Sequence, residues 1–316
     1  MARRKKSDLL LVDYYKEWIE TYKVGAIREI TLSKYYVTLQ RLIEIVPKLK
    51  LGDLDRRTYQ KIINEYAKTH EKQTTQDFHH QVKGAILDAV DDGLLQMNPT
   101  RKVTIKGKEP REKKIKFLSV EELKRLVGTL ECKNEINWDW FIVFVAKTGL
   151  RFAEALAVTP ADFDLNNQTL SINKTWEYKK SNPKFQPTKN SSSVRKIKLD
   201  WQMIGQFCPL IANLPQDELI FVEKEKNGKY KRVFNSTVNK FLERKCIEAD
   251  VPIITVHALR HTHASILLLE GVTMHSIADR LGHANVTTTQ ETYTHIIKEL
   301  EKKDEQKMIG ALSAIA

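Results

Sequence analysis

The sequence holds no apolar run approaching the ~20 residues that a membrane-crossing helix needs. Its first residues, Met1-Ala2-Arg3-Arg4-Lys5-Lys6, are basic, but Ser7-Asp8 and a mixed polar segment follow. A secretory leader, with its apolar core and small-residue cleavage site, is therefore not expected. Cysteine is scarce: Cys132, Cys208 and Cys246 are dispersed, with no CxxC and no histidine at metal-ligand spacing. That speaks against a disulfide framework or a zinc module, suits a reducing cytoplasm, and reads the three as small buried hydrophobes. No acidic cluster suggests a Mg²⁺ site and no Walker motif suggests ATP, so neither metal nor cofactor is expected. The chain shows no internal repeat and no low-complexity tract.

Acidic residues are outnumbered. Against 52 Lys and Arg stand 40 Asp and Glu, a formal net charge of +12 at pH 7, and the sequence pI is near 9.4. A polyphosphate partner asks for such a balance, because each neutralised phosphate releases condensed counterions. The rest of the composition, 41% hydrophobic and 29% charged, is that of an ordinary globular chain. A length of 316 residues exceeds one usual core, so two domains are expected.

Residues 1–100 read as a helical domain. Leu10, Tyr14, Trp18 and Tyr22 recur at near-helical spacing. Thr31 is placed to cap a second helix that carries Leu32, Tyr35, Leu39, Leu42 and Val46 and stops at Pro47. A third runs from Asp55 through Ile62, Ile63 and Tyr66, and a fourth spans 74–92, with Gly93 as its stop. From 101 to 116 the pattern breaks. Lys106, Lys108, Arg111, Lys113 and Lys114 are among eight basic residues set against only Glu109 and Glu112. Gly107 and Pro110 interrupt any helix and no apolar period survives, so this is a basic linker, either plain solvated charge or, given the motifs that follow, a strap lying along a DNA backbone. A second domain, 117–316, opens with the capping-box pair Ser119 and Glu122 and an apolar helix, Trp138 to Thr148. Alternation at 169–174 and the recurrence of Val194, Ile197 and Leu199 suggest strands on either side of a polar hairpin tip. Helical periods return from Ser236. The expected class is mainly α with a small β-sheet, α+β.

Three short segments carry the chemistry. They are Thr148-Gly149-Leu150-Arg151-Phe152-Ala153-Glu154, His257-Ala258-Leu259-Arg260-His261, and Leu281-Gly282-His283 with Tyr293 ten residues on. His257 and Arg260, at i and i+3, share a helix face. Gly282 is a helix stop, which puts His283 at a helix end. Tyr293 sits in a polar stretch whose neighbours at three and four are Thr289, Gln290, Ile296 and Ile297, a setting that argues against a core role. Together the set meets a specific need. Attack on a phosphodiester adds negative charge at phosphorus, and two guanidiniums each offer paired donors to its oxygens. Histidines move protons near neutral pH, and a tyrosine hydroxyl attacks once a base and positive charge assist it.

The segments Thr-Gly-Leu-Arg-x-x-Glu, His-x-Leu-Arg-His and Leu-Gly-His followed by Tyr resemble those of the tyrosine recombinases, or phage integrases, and most closely their phage and conjugative-transposon branch. The resemblance implies a helical SAM-like core-binding domain and a catalytic domain that together form a C-shaped clamp on duplex DNA. It implies that Arg151 and Arg260 clamp the scissile phosphate. Tyr293 would become linked to the 3′-phosphate, His257 would help move its proton, and His283 would bond a phosphate oxygen. Glu154 would orient its neighbours. A hairpin lysine would serve as the acid for the leaving oxygen: Lys189 is the best placed, with Lys179, Lys180 and Lys184 as alternatives. The implied assembly is a tetramer on two DNA sites, with the tail, 296–316, exchanged between protomers and room for accessory DNA-bending proteins. The implied setting is the cytoplasm of a bacterial host. Members of this branch usually carry a further small domain ahead of the helical one. Here the helical domain begins almost at once, so the resemblance leans to a truncated chain.

Overall fold

The structure, a computed structural model, describes residues 8–109, 117–180, 182–188, 190–287, 289, 290 and 293. The chain divides into two compact units, Met1–Lys113 and Lys114–Ala316, and each has its own apolar core.

The first unit is built on four helices, α1 (Leu11–Tyr22), α2 (Glu29–Ile45), α3 (Arg56–Ala67) and α4 (Lys72–Asp91). α1 buries Leu11, Tyr14, Tyr15, Trp18 and Ile19, which fall on one face at three- and four-residue steps. Its Trp18 Nε1 reaches Asp88 on α4 at 2.5 Å. Asp55 caps α3 by accepting the Thr58 N–H at 2.7 Å. α2 starts earlier than its Thr31 signal suggested: Arg28 is its N-cap, and its side chain makes no capping bond. α4 likewise begins at Lys72, ahead of the expected 74.

The first part of the basic linker packs on this unit as an extended strap. Val103 and Ile105 are half-buried against the helical core, while Lys102, Thr104, Lys106 and Lys108 point to solvent. Gln60 Nε2 donates to the Thr104 carbonyl and Gln60 Oε1 accepts the Thr104 N–H, both at 2.9 Å. The Lys108 N–H reaches the His70 carbonyl at 2.8 Å. A Cβ at Gly107 would lie 2.2 Å from the Lys72 backbone nitrogen, so only glycine allows this approach. An apolar period therefore does exist here, of two rather than 3.6. Arg111, Lys113 and Lys114 lie outside the described residues.

The second unit surrounds α6 (Trp138–Thr148), nine of whose eleven residues are buried. A helix apolar on all sides must be enclosed on all sides. Around it stand α5 (Val120–Gly128), opened by the Ser119–Glu122 capping box, then α7 (Phe152–Leu156), α8 (Cys208–Ile211), α9 (Asn235–Glu248), α10 (Val256–Leu269) and α11 (Met274–Leu281). The strands are β1 (Phe163–Asp164), β2 (Thr169–Ile172), β3 (Lys174–Trp176), β4 (Phe185–Pro187) and β5 (Arg195–Lys198). β1, β2 and β5 form an antiparallel sheet with β2 central, and β3 pairs with β4. The fold is thus mainly helical with small sheets. Of the cysteines, Cys208 and Cys246 are buried, but Cys132 is exposed, because it lies in the loop ahead of α6 rather than on a packed helix face. No described helix is long and apolar enough to cross a membrane.

Candidate active site

Two helix ends build the site. α6 stops at Gly149 (φ +69°) and α11 at Gly282 (φ +67°), both left-handed. Space as well as conformation demands glycine at both. A Cβ at Gly149 would meet His263 Cδ2 at 2.7 Å, and one at Gly282 would meet Arg195 Nη1 at 2.9 Å. A helix C-terminus leaves carbonyls without intrahelical donors and carries the negative end of the helix dipole. Two arginines fill that need. Arg260, 3% exposed, donates from Nη1 to the Gly149 carbonyl and from Nη2 to the Leu281 carbonyl, each at 2.7 Å. Arg151 donates from Nη2 to the Gly282 carbonyl at 3.0 Å. The successive carbonyls of Leu281 and Gly282 therefore hold two guanidiniums as neighbours. Burial first, and then the charge of Arg151, push Arg260 down to about 9.

Glu154 stands behind them. It is 2% exposed. Its Oε1 accepts Arg151 Nη1 at 2.7 Å, and its Oε2 accepts the Arg151 backbone N–H and Arg195 Nη2, both at 3.0 Å. Burial alone would raise its pKa, but the charges of Arg195 and Arg151 outweigh that and hold the carboxyl below its ordinary value.

His283 follows Gly282 directly and its Nδ1 lies 2.7 Å from the Thr289 hydroxyl. Burial, then Arg260 and Arg151, lower its pKa to about 4. Tyr293 is 2% exposed and packs with Ala264 and Leu268 of α10 and Ile277 and Leu281 of α11. The expectation that it stands outside the core is overturned: the apolar partners come from two other helices, not from its own segment. Its hydroxyl lies 3.0 Å from His261 Nδ1. Burial pushes its pKa up to about 12, against the opposing pull of Arg260. His257 is exposed one turn back on α10 and meets the His261 ring edge-on at 4.8 Å between centroids. Desolvation by its neighbours, then Arg260 and Arg151, hold it below its ordinary value.

Arg151, Glu154, Arg260 and His283 thus converge directly, and Tyr293 and His257 join them through His261. Lys189 lies outside the described residues, between the buried Thr188 and the exposed Asn190, and Lys179, Lys180 and Lys184 are exposed. Among the described residues no group of His, Cys, Asp and Glu could hold a metal ion. Three residues at the site were not singled out from the sequence: His261, Arg195 and Arg280. His261 was legible as the i+4 partner of His257. Arg195 shares a strand face with buried Ile197, two residues on, and an arginine on that face needs a carboxylate. Arg280 carried no such signal.

His263, 8% exposed, shows how firmly the site is tied to its scaffold. Its Nε2 accepts the Arg280 Nε–H at 2.9 Å, so Nδ1 carries the proton and donates to the Ala146 carbonyl at 2.9 Å. Burial and the Arg280 charge lower its pKa from 6.5 to about 3. The unfolded chain therefore binds a proton that the folded chain refuses. The contribution of this neutral histidine to stability is complete above pH 6.5 and is lost as pH falls towards 3, at about 1.4 kcal/mol per pH unit. Thermal melts from pH 7 to 5 are expected to fall steeply for the parent protein and less steeply for His263→Gln. Equal slopes would contradict this reading.

Residues 116–299 match the model of the phage integrase family. That match covers more than half of the chain, and it decides the family. The chain belongs to the phage integrase family. It is 25% identical to the integrase of Staphylococcus phage L54a, over 92% of this chain and 90% of that protein. It is 26% identical to a tyrosine recombinase XerC-like protein of Caldanaerobacter subterraneus subsp. tengcongensis, over 94% of this chain and 76% of that one. In fold it is similar to the Tn1549 transposon integrase, solved in complex with a circular intermediate DNA, with a TM-score of 0.76 and 18% identity over 93% of this chain and 99% of that one. It is a tyrosine recombinase of the phage and conjugative-transposon branch, an enzyme of site-specific recombination in the integration and excision of mobile elements.

Proposed function

We propose that Arg151 and Arg260 clamp the scissile phosphate and that Tyr293 attacks its phosphorus. The Tyr293 O–P bond forms as the P–O5′ bond breaks, leaving a 3′-phosphotyrosine and a 5′-hydroxyl. The tyrosine proton passes to His261 and His257, and Lys189 protonates the departing 5′-oxygen. His283 donates a hydrogen bond to a phosphate oxygen. The phosphotyrosine bond conserves the energy of the broken diester, so rejoining needs no cofactor. One observation carries this reading: two guanidiniums anchored on the consecutive carbonyls of Leu281 and Gly282. Like charges so close, one of them buried, suit a site that receives an anion. A nicked suicide substrate that loses its 5′-hydroxyl fragment is the test. Accumulation of a covalent protein–DNA adduct is expected, and strand exchange between two duplexes should follow on intact sites. Adducts with relaxation of supercoils but no exchange would point to a topoisomerase, and binding without adducts to a regulator.

The leaving-group role of Lys189 has its own test. Replacing the bridging 5′-oxygen by sulfur gives a leaving group that needs little protonation. Lys189→Ala is expected to be slow on normal DNA and much faster on the sulfur substrate. An equal defect on both would pass the role to Lys184 or another lysine.

In the same reading, residues 1–100 are a core-binding domain, 101–116 a linker along the DNA and 117–316 the catalytic domain. Arg56, Arg57, Lys102 and Lys106, with Gln60, Asn64 and Thr104, line one basic cleft of the helical unit. That cleft, with Lys108, Arg111, Lys113 and Lys114 of the linker, would follow phosphates. The working state is a tetramer on two DNA sites in the host cytoplasm, assisted by DNA-bending proteins. The tail, 296–316, lies outside the described residues, but Met308, Leu312 and Ile315 recur at helical spacing in a stripe too short to form a core. Docked on a neighbouring protomer, it would make cleavage wait for assembly. Truncation after Lys298 is expected to weaken protomer association on DNA and uncouple cleavage from recombination, while binding of single protomers survives. Unchanged assembly and recombination would remove this role.

A further inference from the structure

β5 carries an arginine on the face where Ile197 is buried. The Arg195 side chain is 7% exposed, and each of its three nitrogens donates to the protein. Nε reaches the Arg280 carbonyl at 2.6 Å, Nη1 the Ser193 carbonyl at 2.9 Å and Nη2 Glu154 Oε2 at 3.0 Å. With its donors directed this way, it is built to act on protein groups rather than on DNA. The group it acts on is the carboxylate that also holds Arg151.

We propose that Arg195 is a positioning residue for DNA cleavage: by sharing Glu154 it holds Arg151 in place and leaves Arg151 its positive charge for the phosphate. The inference rests on the reading of Arg151 as a phosphate clamp. Glu154 fixes Arg151 through both its backbone and its side chain, but a buried one-to-one pair would also neutralise the guanidinium and blunt its pull on an anion. A second guanidinium on the same carboxylate restores a net positive charge to the trio. Arg195 also acts on Arg151 indirectly, from the other side. Its bond to the Arg280 carbonyl ties β5 to the end of α11, where the Gly282 carbonyl accepts Arg151 Nη2. Arg280 in turn bonds the carbonyls of Lys147 and Lys198 and the ring of His263, so that end is joined to α6, α10 and β5. Gly282 makes room for this arrangement, since a Cβ there would stand 2.9 Å from Arg195 Nη1. A lysine has neither the reach nor the three-way fork to replace it.

Cleavage of a suicide substrate by Arg195→Met and Arg195→Lys, at saturating protein, is the experiment. Both are expected to lose roughly 100-fold in rate, the scale for misplacing a catalytic group by about 1 Å, while DNA affinity stays close to that of the parent. The deciding arm uses a substrate whose scissile phosphate has one non-bridging oxygen replaced by methyl, which removes its charge. There the defects of Arg195→Met and Arg151→Ala should shrink together. An Arg195 defect of the same size on both substrates, or none on either, overturns the proposal. If Arg151→Ala itself shows no charge-dependent defect, the phosphate-clamp reading has failed instead, and this proposal with it. Should the single variant not fold, Glu154→Gln with Arg195→Met removes both buried charges. It is expected to cleave at the rate of Glu154→Gln alone, and a further multiplied loss would overturn the proposal.

Discussion

Tyr293→Phe is expected to form no covalent DNA adduct while binding its site almost as well as the parent. The change removes one oxygen. The ring keeps its place against Ala264, Leu268, Ile277 and Leu281, so the fold loses little beyond the bond to His261, worth ~1 kcal/mol. The nucleophile, by contrast, is gone entirely. Its activation is the harder part of the chemistry, since burial pushes the hydroxyl up to about 12. A phenol that resists ionisation at neutral pH needs an acceptor within reach and positive charge nearby. His261 at 3.0 Å and Arg260 fit those parts. Binding on a gel shift with no adduct on a denaturing gel is the measurement. Adducts persisting in the variant would mean that another residue attacks.

Arg260→Ala and Arg151→Ala come next in size. A preorganised donor to a developing oxyanion is worth ~3 kcal/mol, about 100-fold in rate, and a guanidinium that also carries charge into a buried site should exceed that. The two variants differ in their structural cost. Arg260 satisfies the carbonyls of Gly149 and Leu281 in the interior, so its loss also strands two acceptors, at ~1–3 kcal/mol each. Arg151 has a side chain 31% exposed and should cost less stability. Single-turnover cleavage, read beside a melting temperature, separates the two effects. Arg-to-Lys changes should rescue poorly, because one ammonium cannot span the paired carbonyl and phosphate contacts. Near-normal rates in both alanine variants would remove the clamp.

What could be read from the sequence was local. α6 matched its apolar run, and Asp55 and Ser119 marked helix starts, because caps and periodicity act within a few residues. Gly282 was legible as a stop for the same reason. The strap at 103–105 was missed because two apolar residues between lysines are too short a pattern to rise above Gly107 and Pro110. Tyr293 read as polar because the residues that bury it lie some 12 to 29 positions upstream, on α10 and α11. The site shows the same division. The candidate residues were visible as motifs, but the consecutive carbonyls that hold Arg151 and Arg260 belong to a third segment. The sharing of Glu154 by Arg195 is a contact across 41 positions. No spacing rule reports such meetings, which the packing of α6, α10, α11 and β5 brings about.

The central claim is that Tyr293 carries the DNA through its 3′-phosphate. Trapping the full chain on a suicide substrate, digesting protein and DNA, and locating the nucleotide by peptide mass spectrometry tests it most directly. The account predicts one modified residue, Tyr293, bearing a 3′-linked nucleotide. A nucleotide on any other side chain, or one joined through its 5′-phosphate, would contradict it.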